Sequence, residues 1–172
     1  MGFVFDEAMP PGGLNATTHV TDAKAFVAWL DSQGDVETGR RIGTTGYCMG
    51  GPLVMRTAAA MPERIGAGAS FHGGGLATDQ PDSPHLLIPK MKAQFLIAIA
   101  GNDDQRQPQV KDILRKAFAE AQLPAEIEVY QGLHGWCVPD MPLQANGMPI
   151  YNKEAAERAW GKLVALYKAA LV

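Results

Sequence analysis

Gly46-Tyr47-Cys48-Met49-Gly50-Gly51 decides how the rest of the chain is read. The stretch before it, RRIGTTGY, is short and glycine-containing, and predicts a buried strand around 41–47. The stretch after it, PLVMRTAAAM, predicts a helix with Pro52 in its first turn and a stop near Pro62. A nucleophile-type residue flanked by glycines two positions before and two after, between a strand and a helix, is the strand–elbow–helix pattern, here with cysteine in the central place. The bend forces strained backbone angles, and side chains at 46 and 50 are expected to collide with the neighbouring strand and helix, so glycine stands there. The turn lifts the Cys48 sulfur above the sheet, at a helix N-terminus whose field favours a thiolate. The Met49 N–H is then directed at a developing oxyanion. A lone cysteine is more often a small packing residue; glycines at 46, 50 and 51 and the flanking elements tip this one toward catalysis.

Outward from the elbow, the elements alternate. Residues 1–20 read as loop, and Phe26, Val27 and Leu30 recur at helical spacing in a first helix over 21–33, capped by Thr21 or Asp22. Beyond the elbow helix, residues 65–71 predict a strand small and apolar enough to lie beneath helices on both faces. Residues 72–93 form a long irregular stretch expected to act as a lid-like or binding loop. Residues 93–101 are the clearest strand and 108–122 the clearest helix, with Val110, Ile113, Leu114, Ala117, Phe118 and Ala121 on one face. Residues 125–132 alternate as a strand, and 151–171 form a long amphipathic closing helix. The order implies one α/β domain over 1–172, a mostly parallel sheet flanked by helices.

Composition excludes several classes. The 172 residues are 47% hydrophobic and 19% charged, a globular profile for a single domain. A net charge of −3 with dispersed Lys and Arg gives no footprint for nucleic acid. No apolar run approaches the roughly 20 residues that span a bilayer, and MGFVFDEAMPPGG has no signal-peptide pattern. Two cysteines, Cys48 and Cys137, make neither a disulfide framework nor a zinc motif, so no metal is expected and a cytoplasmic setting is the default.

Partners for the thiol follow in chain order. The strand over 93–100 ends in Gly101-Asn102-Asp103-Asp104-Gln105-Arg106-Gln107-Pro108, placing a carboxylate on the rim where such sheets carry their sites. One of Asp103 and Asp104 is expected to serve the turn itself, the other the site. The strand over 125–131 leads into Gly132-Leu133-His134-Gly135-Trp136, which sets His134 on the same rim as a base for Cys48. His72 follows the strand over 65–71 and is a candidate pocket residue, as is Trp136, although Trp136 reads more readily as packing for the His134 loop. His85 is expected to face solvent and Cys137 to pack near the site.

Together GYCMGG at 46–51, GNDDQRQP at 101–108 and GLHGW at 132–136 resemble the dienelactone hydrolase family of α/β-hydrolases. The resemblance implies a cofactor-independent Cys48-His134-Asp triad hydrolysing small esters or lactones through an acyl-enzyme. The family's aspartate stands three residues after the strand-end glycine and four before a proline, which favours Asp104 over Asp103. Two departures stand out. Family members carry further strands ahead of the elbow, including the loop that gives a second oxyanion donor; no such segment precedes residue 21 here, and Gly12-Gly13 is a poor substitute. Loss of one such donor lowers rates by about 100- to 1000-fold, and uncovered sheet edges favour oligomerisation. The family's carboxylate-binding arginine four residues after the histidine is replaced by Val138. Competing readings are an inactive hydrolase-like interaction or regulatory module and a redox role for Cys48 with Cys137.

Overall fold

A computed structural model describes residues 13 and 15–171; the loop reading of residues 1–12, Gly12 included, lies outside them. The elements run α1 (Ala16–Asp31), β1 (Ile42–Tyr47), α2 (Gly50–Ala60), β2 (Ile65–Phe71), a 3-10 segment (Pro84–Lys90), β3 (Gln94–Ala100), α3 (Gly101–Arg106), α4 (Val110–Glu120), β4 (Ala125–Tyr130) and α5 (Lys153–Ala170). The four strands are parallel and lie side by side in chain order.

Alternation along the strands sets the layers. In β3, Phe95, Ile97 and Ile99 enter a core with Val54, Met55 and Ala58 of α2, Ile88 of the 3-10 segment, and Leu114 and Phe118 of α4. Leu96, Ala98 and Ala100 enter a second core with Ala155, Ala159 and Leu163 of α5, closed by Tyr130 and Trp136. Each large side chain so buried contributes about 1.5–3 kcal/mol, which fixes the strand register. Of the apolar face expected on α4, Ile113 alone stays well exposed, at 37%.

Three expectations change. Helix α1 starts at Ala16, not 21, because Asn15 Oδ1 accepts from the N–H groups of Thr17 and Thr18 while Thr18 Oγ1 accepts from Asn15 N–H, a reciprocal capping box. Thr21 lies inside the helix and donates back to the Thr17 carbonyl. Within the 72–93 stretch Leu76, Ala77, Ile88, Met91 and Ala93 are buried in the first core, and His85, bonded through Nδ1 to Ser83 Oγ at 2.7 Å, is half-buried rather than solvent-facing. The strand-end GNDDQR forms the short helix α3 instead of a loop.

Strand β1 pairs only with β2 among the described residues. Beside its open edge, α1 and α2 enclose an apolar groove of about 350 Å³ reaching Leu53, Val54 and Ile65, and Phe26 and Trp29 of α1 are 72% and 66% exposed. At the sheet's other edge the α5-facing side of β4 is charged instead: Glu126 and Glu128 pair with Lys162 and Arg158 of α5. No described helix is long and apolar enough to cross a membrane.

Candidate active site

Parallel register brings four strand ends to one rim, since Tyr47 pairs with Phe71, Phe71 with Ala98, and Ala98 with Glu128. The residues that follow, Cys48, His72, Gly101–Asp104 and the His134 loop, therefore stand in order across it. Cys48 occupies the left-handed region at φ 52°, a conformation uncommon outside glycine. Its N–H donates to the Phe71 carbonyl at 3.1 Å and its own carbonyl accepts from Gly51 N–H at 3.1 Å, so the strained bend is held from both sides. The thiol is exposed. Among the described residues no side chain caps α2, whose N-cap residue is Met49; Gly51 N–H is taken by the Cys48 carbonyl and Pro52 has none.

The glycines act unequally. A Cβ at Gly46 would stand 2.3 Å from the Gly50 carbonyl oxygen, and one at Gly51 would stand 2.5 Å from Ser70 Oγ and 2.8 Å from the Gly73 Cα. Among the described residues, nothing outside the local helix backbone approaches a Cβ at Gly50 within 4 Å. The crowded pair is 46 and 51, not the expected 46 and 50.

Asp103 Oδ2 lies 2.6 Å from His134 Nδ1, and Asn102 Oδ1 accepts from the His134 backbone N–H at 2.8 Å. Asp104, the acid favoured from the motif, is instead bound to Lys111 Nζ at 2.6 Å. In a helix successive side chains are about 100° apart, so once Gly101–Arg106 is helical only one of two adjacent aspartates faces β4's loop, and the other faces α4. Neither the bonding of Asp103 nor the Asn102 contact was legible from the motif; the density of turn-type residues at 101–104 was its only signal.

His72 is 3% exposed, sits at φ 41°, and its N–H continues the ladder to the Ala98 carbonyl at 2.8 Å. Its ring meets that of His134 edge to face, centroids 4.7 Å apart at 68°, and the Tyr47 ring centroid lies 6.0 Å from its own. Burial foremost, then the neighbouring His134, pushes the His72 imidazole down to about 4. Trp136, a candidate pocket residue, is fully buried and stacks on Tyr130 at 4.5 Å and 7°; it supports the loop rather than lining the cleft. Cys137 is half-buried, and burial pushes its thiol up to about 11, as suits a packing residue.

A cleft of about 600 Å³ opens beside His134 and Asp103, walled by Gly73–Gly75, Leu76, Ile99, Val110 and the exposed Arg106. The structure thus joins Asp103, His134 and His72 by direct contacts. Cys48 stands on the same rim, one strand from His72, and its sulfur shares no hydrogen bond with His134 among the described residues. No group of three or more His, Cys, Asp or Glu among the described residues could hold a metal ion.

The family model described as "Dienelactone hydrolase family" matches residues 7–171. Among curated proteins, "Protein usf" of Aquifex pyrophilus is 27% identical over 75% of this chain and 51% of its own length. A "Putative carboxymethylenebutenolidase" of Escherichia coli strain K12 is 26% identical over 87% of this chain and 53% of its own length. The chain spans about half the length of these relatives. Among solved structures, m3DLH superposes with a TM-score of 0.73 at 20% identity, over 91% of this chain and 62% of that one. A dienelactone hydrolase-like promiscuous phosphotriesterase from metagenomic libraries gives 0.72 at 18%, over 92% and 64%. At such identities these superpositions speak for the α/β-hydrolase fold. The family match covers almost the whole chain, and on it the chain belongs to the dienelactone hydrolase family.

Proposed function

We propose that the chain is a hydrolase of small esters or lactones, with Cys48 as nucleophile, His134 as its base and Asp103 as the residue that fixes the base. One observation carries this reading: the 2.6 Å Asp103–His134 bond on the same rim as an exposed cysteine in a strained elbow. Asp103 on Nδ1 leaves Nε2 as the nitrogen that takes the thiol proton. The sulfur attacks the acyl carbon, the Met49 N–H donates to the resulting oxyanion, and the carbon–oxygen bond breaks as His134 returns its proton to the leaving alcohol. Water, deprotonated by His134, then attacks the thioester; the carboxylic acid leaves and the thiol is restored. In a lactone the leaving alcohol stays tethered to the acyl group.

The carboxymethylenebutenolidase name of several relatives supports a lactone as one substrate, and Val138 in place of an arginine argues against dependence on a substrate carboxylate at that point. A second reading, a hydrolase-like interaction module, is favoured by the missing Cys48–His134 hydrogen bond. Turnover of p-nitrophenyl acetate by wild type and Cys48→Ala separates the two. Hydrolysis that disappears in the variant, with an acyl adduct on Cys48 seen by mass spectrometry, supports the enzyme; equal hydrolysis by both proteins overturns it.

A further inference from the structure

His72 combines three unfavourable features in one residue. Its backbone is left-handed, its ring is removed from water, and neither ring nitrogen finds a hydrogen-bond partner on another residue among the described residues. Unpaired buried polar atoms and left-handed non-glycine residues are uncommon and concentrate where the surrounding structure puts them to use. The cleft beside His134 is lined by Gly73–Gly75 and not by the His72 ring, so a substrate-lining role does not explain them.

The ring's one close aromatic partner on the catalytic side does. Resting on the proposed reading of the site, we propose that His72 is a positioning residue, its buried ring forming the floor that fixes the ring plane of His134 while Asp103 holds the Nδ1 end. Two attachments are needed because a single hydrogen bond at Nδ1 leaves the imidazole free to swing about it, and Nε2 must point along the rim to Cys48. Misplacement of a reacting group by about 1 Å is enough to lower a rate by about 100-fold.

The residue type follows from two demands. The bend after β2 requires a side chain that tolerates positive φ, which asparagine, aspartate and histidine do best after glycine. The contact with His134 requires a flat ring. Histidine alone meets both. The charged and titratable groups that face it are His134 from the β4 loop, Asp103 from α3 and Tyr47 from β1. Its depressed basicity keeps the ring uncharged at neutral pH, so it does not oppose the imidazolium that His134 becomes when it accepts a proton.

The two demands can be separated by substitution. His72→Asn keeps the backbone preference and removes the ring; His72→Phe keeps a ring and strains the bend. The expected result is a 10- to 100-fold lower kcat for p-nitrophenyl acetate in His72→Asn with KM changed by less than about threefold, and recovery of most of that loss in His72→Phe despite a lower Tm. Unchanged kcat in His72→Asn, or equal losses in both folded variants, would overturn the proposal. Proton NMR of the same proteins keeps the test independent of turnover. The His134 Nδ1 proton shared with Asp103 should give a slowly exchanging downfield signal in wild type and His72→Phe, broadened or absent in His72→Asn. If Cys48 proves dispensable for hydrolysis but this signal behaves as described, the hydrolase reading fails and the positioning role stands; a signal that survives intact in His72→Asn removes the positioning role.

Discussion

Asp103 and Asp104 are neighbours in sequence and line one cleft, yet they bond to different partners: the first reaches across the β3–β4 boundary to His134, the second pairs with Lys111, each at 2.6 Å. A six-residue helix separates their directions, and with them their expected roles. Asp103→Asn should lower kcat/KM by about 10³- to 10⁴-fold, the range seen when a triad acid is neutralised. Asp104→Asn should leave activity within a few-fold and lower stability by about 1–2 kcal/mol through the lost ion pair. Steady-state kinetics and thermal melts of the pair decide it; a larger activity loss in Asp104→Asn would restore the motif-based assignment.

The elbow glycines give a second contrast. Gly46→Ala drives a Cβ into the Gly50 carbonyl and is expected to destabilise by about 3 kcal/mol or more. Gly50→Ala meets open space and should leave stability unchanged or raise it by up to about 1 kcal/mol. Urea denaturation of both variants measures the difference. Similar losses would mean the bend is held otherwise than described.

His72 also sets an acid limit. Its folded value of about 4 lies below the ordinary 6.5, so between those values the unfolded chain binds more protons than the folded one. Stability from the uncharged ring is therefore complete above about pH 6.5 and is lost as pH falls toward 4, by up to about 3 kcal/mol. Urea midpoints measured at pH 7 and at pH 4.5 should fall further in wild type than in His72→Asn. Parallel losses would show that other groups dominate the acid response.

The two sides of the sheet differ in how they are protected. Glu126 and Glu128 with Lys162 and Arg158 guard β4, whereas β1 has no charged residue and, among the described residues, pairs only with β2, beside exposed Phe26 and Trp29. Unguarded edges pair with other chains, so sedimentation should show concentration-dependent self-association that weakens in a Phe26→Ser, Trp29→Ser double variant. A wild-type protein that is monomeric throughout would contradict this.

Much of this was legible in the residues. Apolar runs such as 94–100 and the periodicity of 110–120 give elements within a residue or two, because burial enforces those patterns. Placement of the Cys48, acid and His134 stretches at successive strand ends follows from strand order alone. What the spacing does not carry depends on side-chain direction: which aspartate faces His134, which glycine is crowded, that the His72 ring meets that of His134. These are set by a helix phase and by the closeness of α2 to Ser70 and Gly73, and neither leaves a mark in spacing. The cap at Asn15 was hidden because Thr21-Asp22 offers an equally good local signal.

The proposed hydrolysis requires that His134 act on the thiol of Cys48. The rate of iodoacetamide alkylation at Cys48 at neutral pH, located by peptide mass spectrometry with Cys137 as internal reference, tests this directly. In His134→Ala the Cys48 rate should fall by about 10- to 100-fold while the Cys137 rate stays constant. Equal Cys48 rates in wild type and His134→Ala would mean that the imidazole does not reach the sulfur.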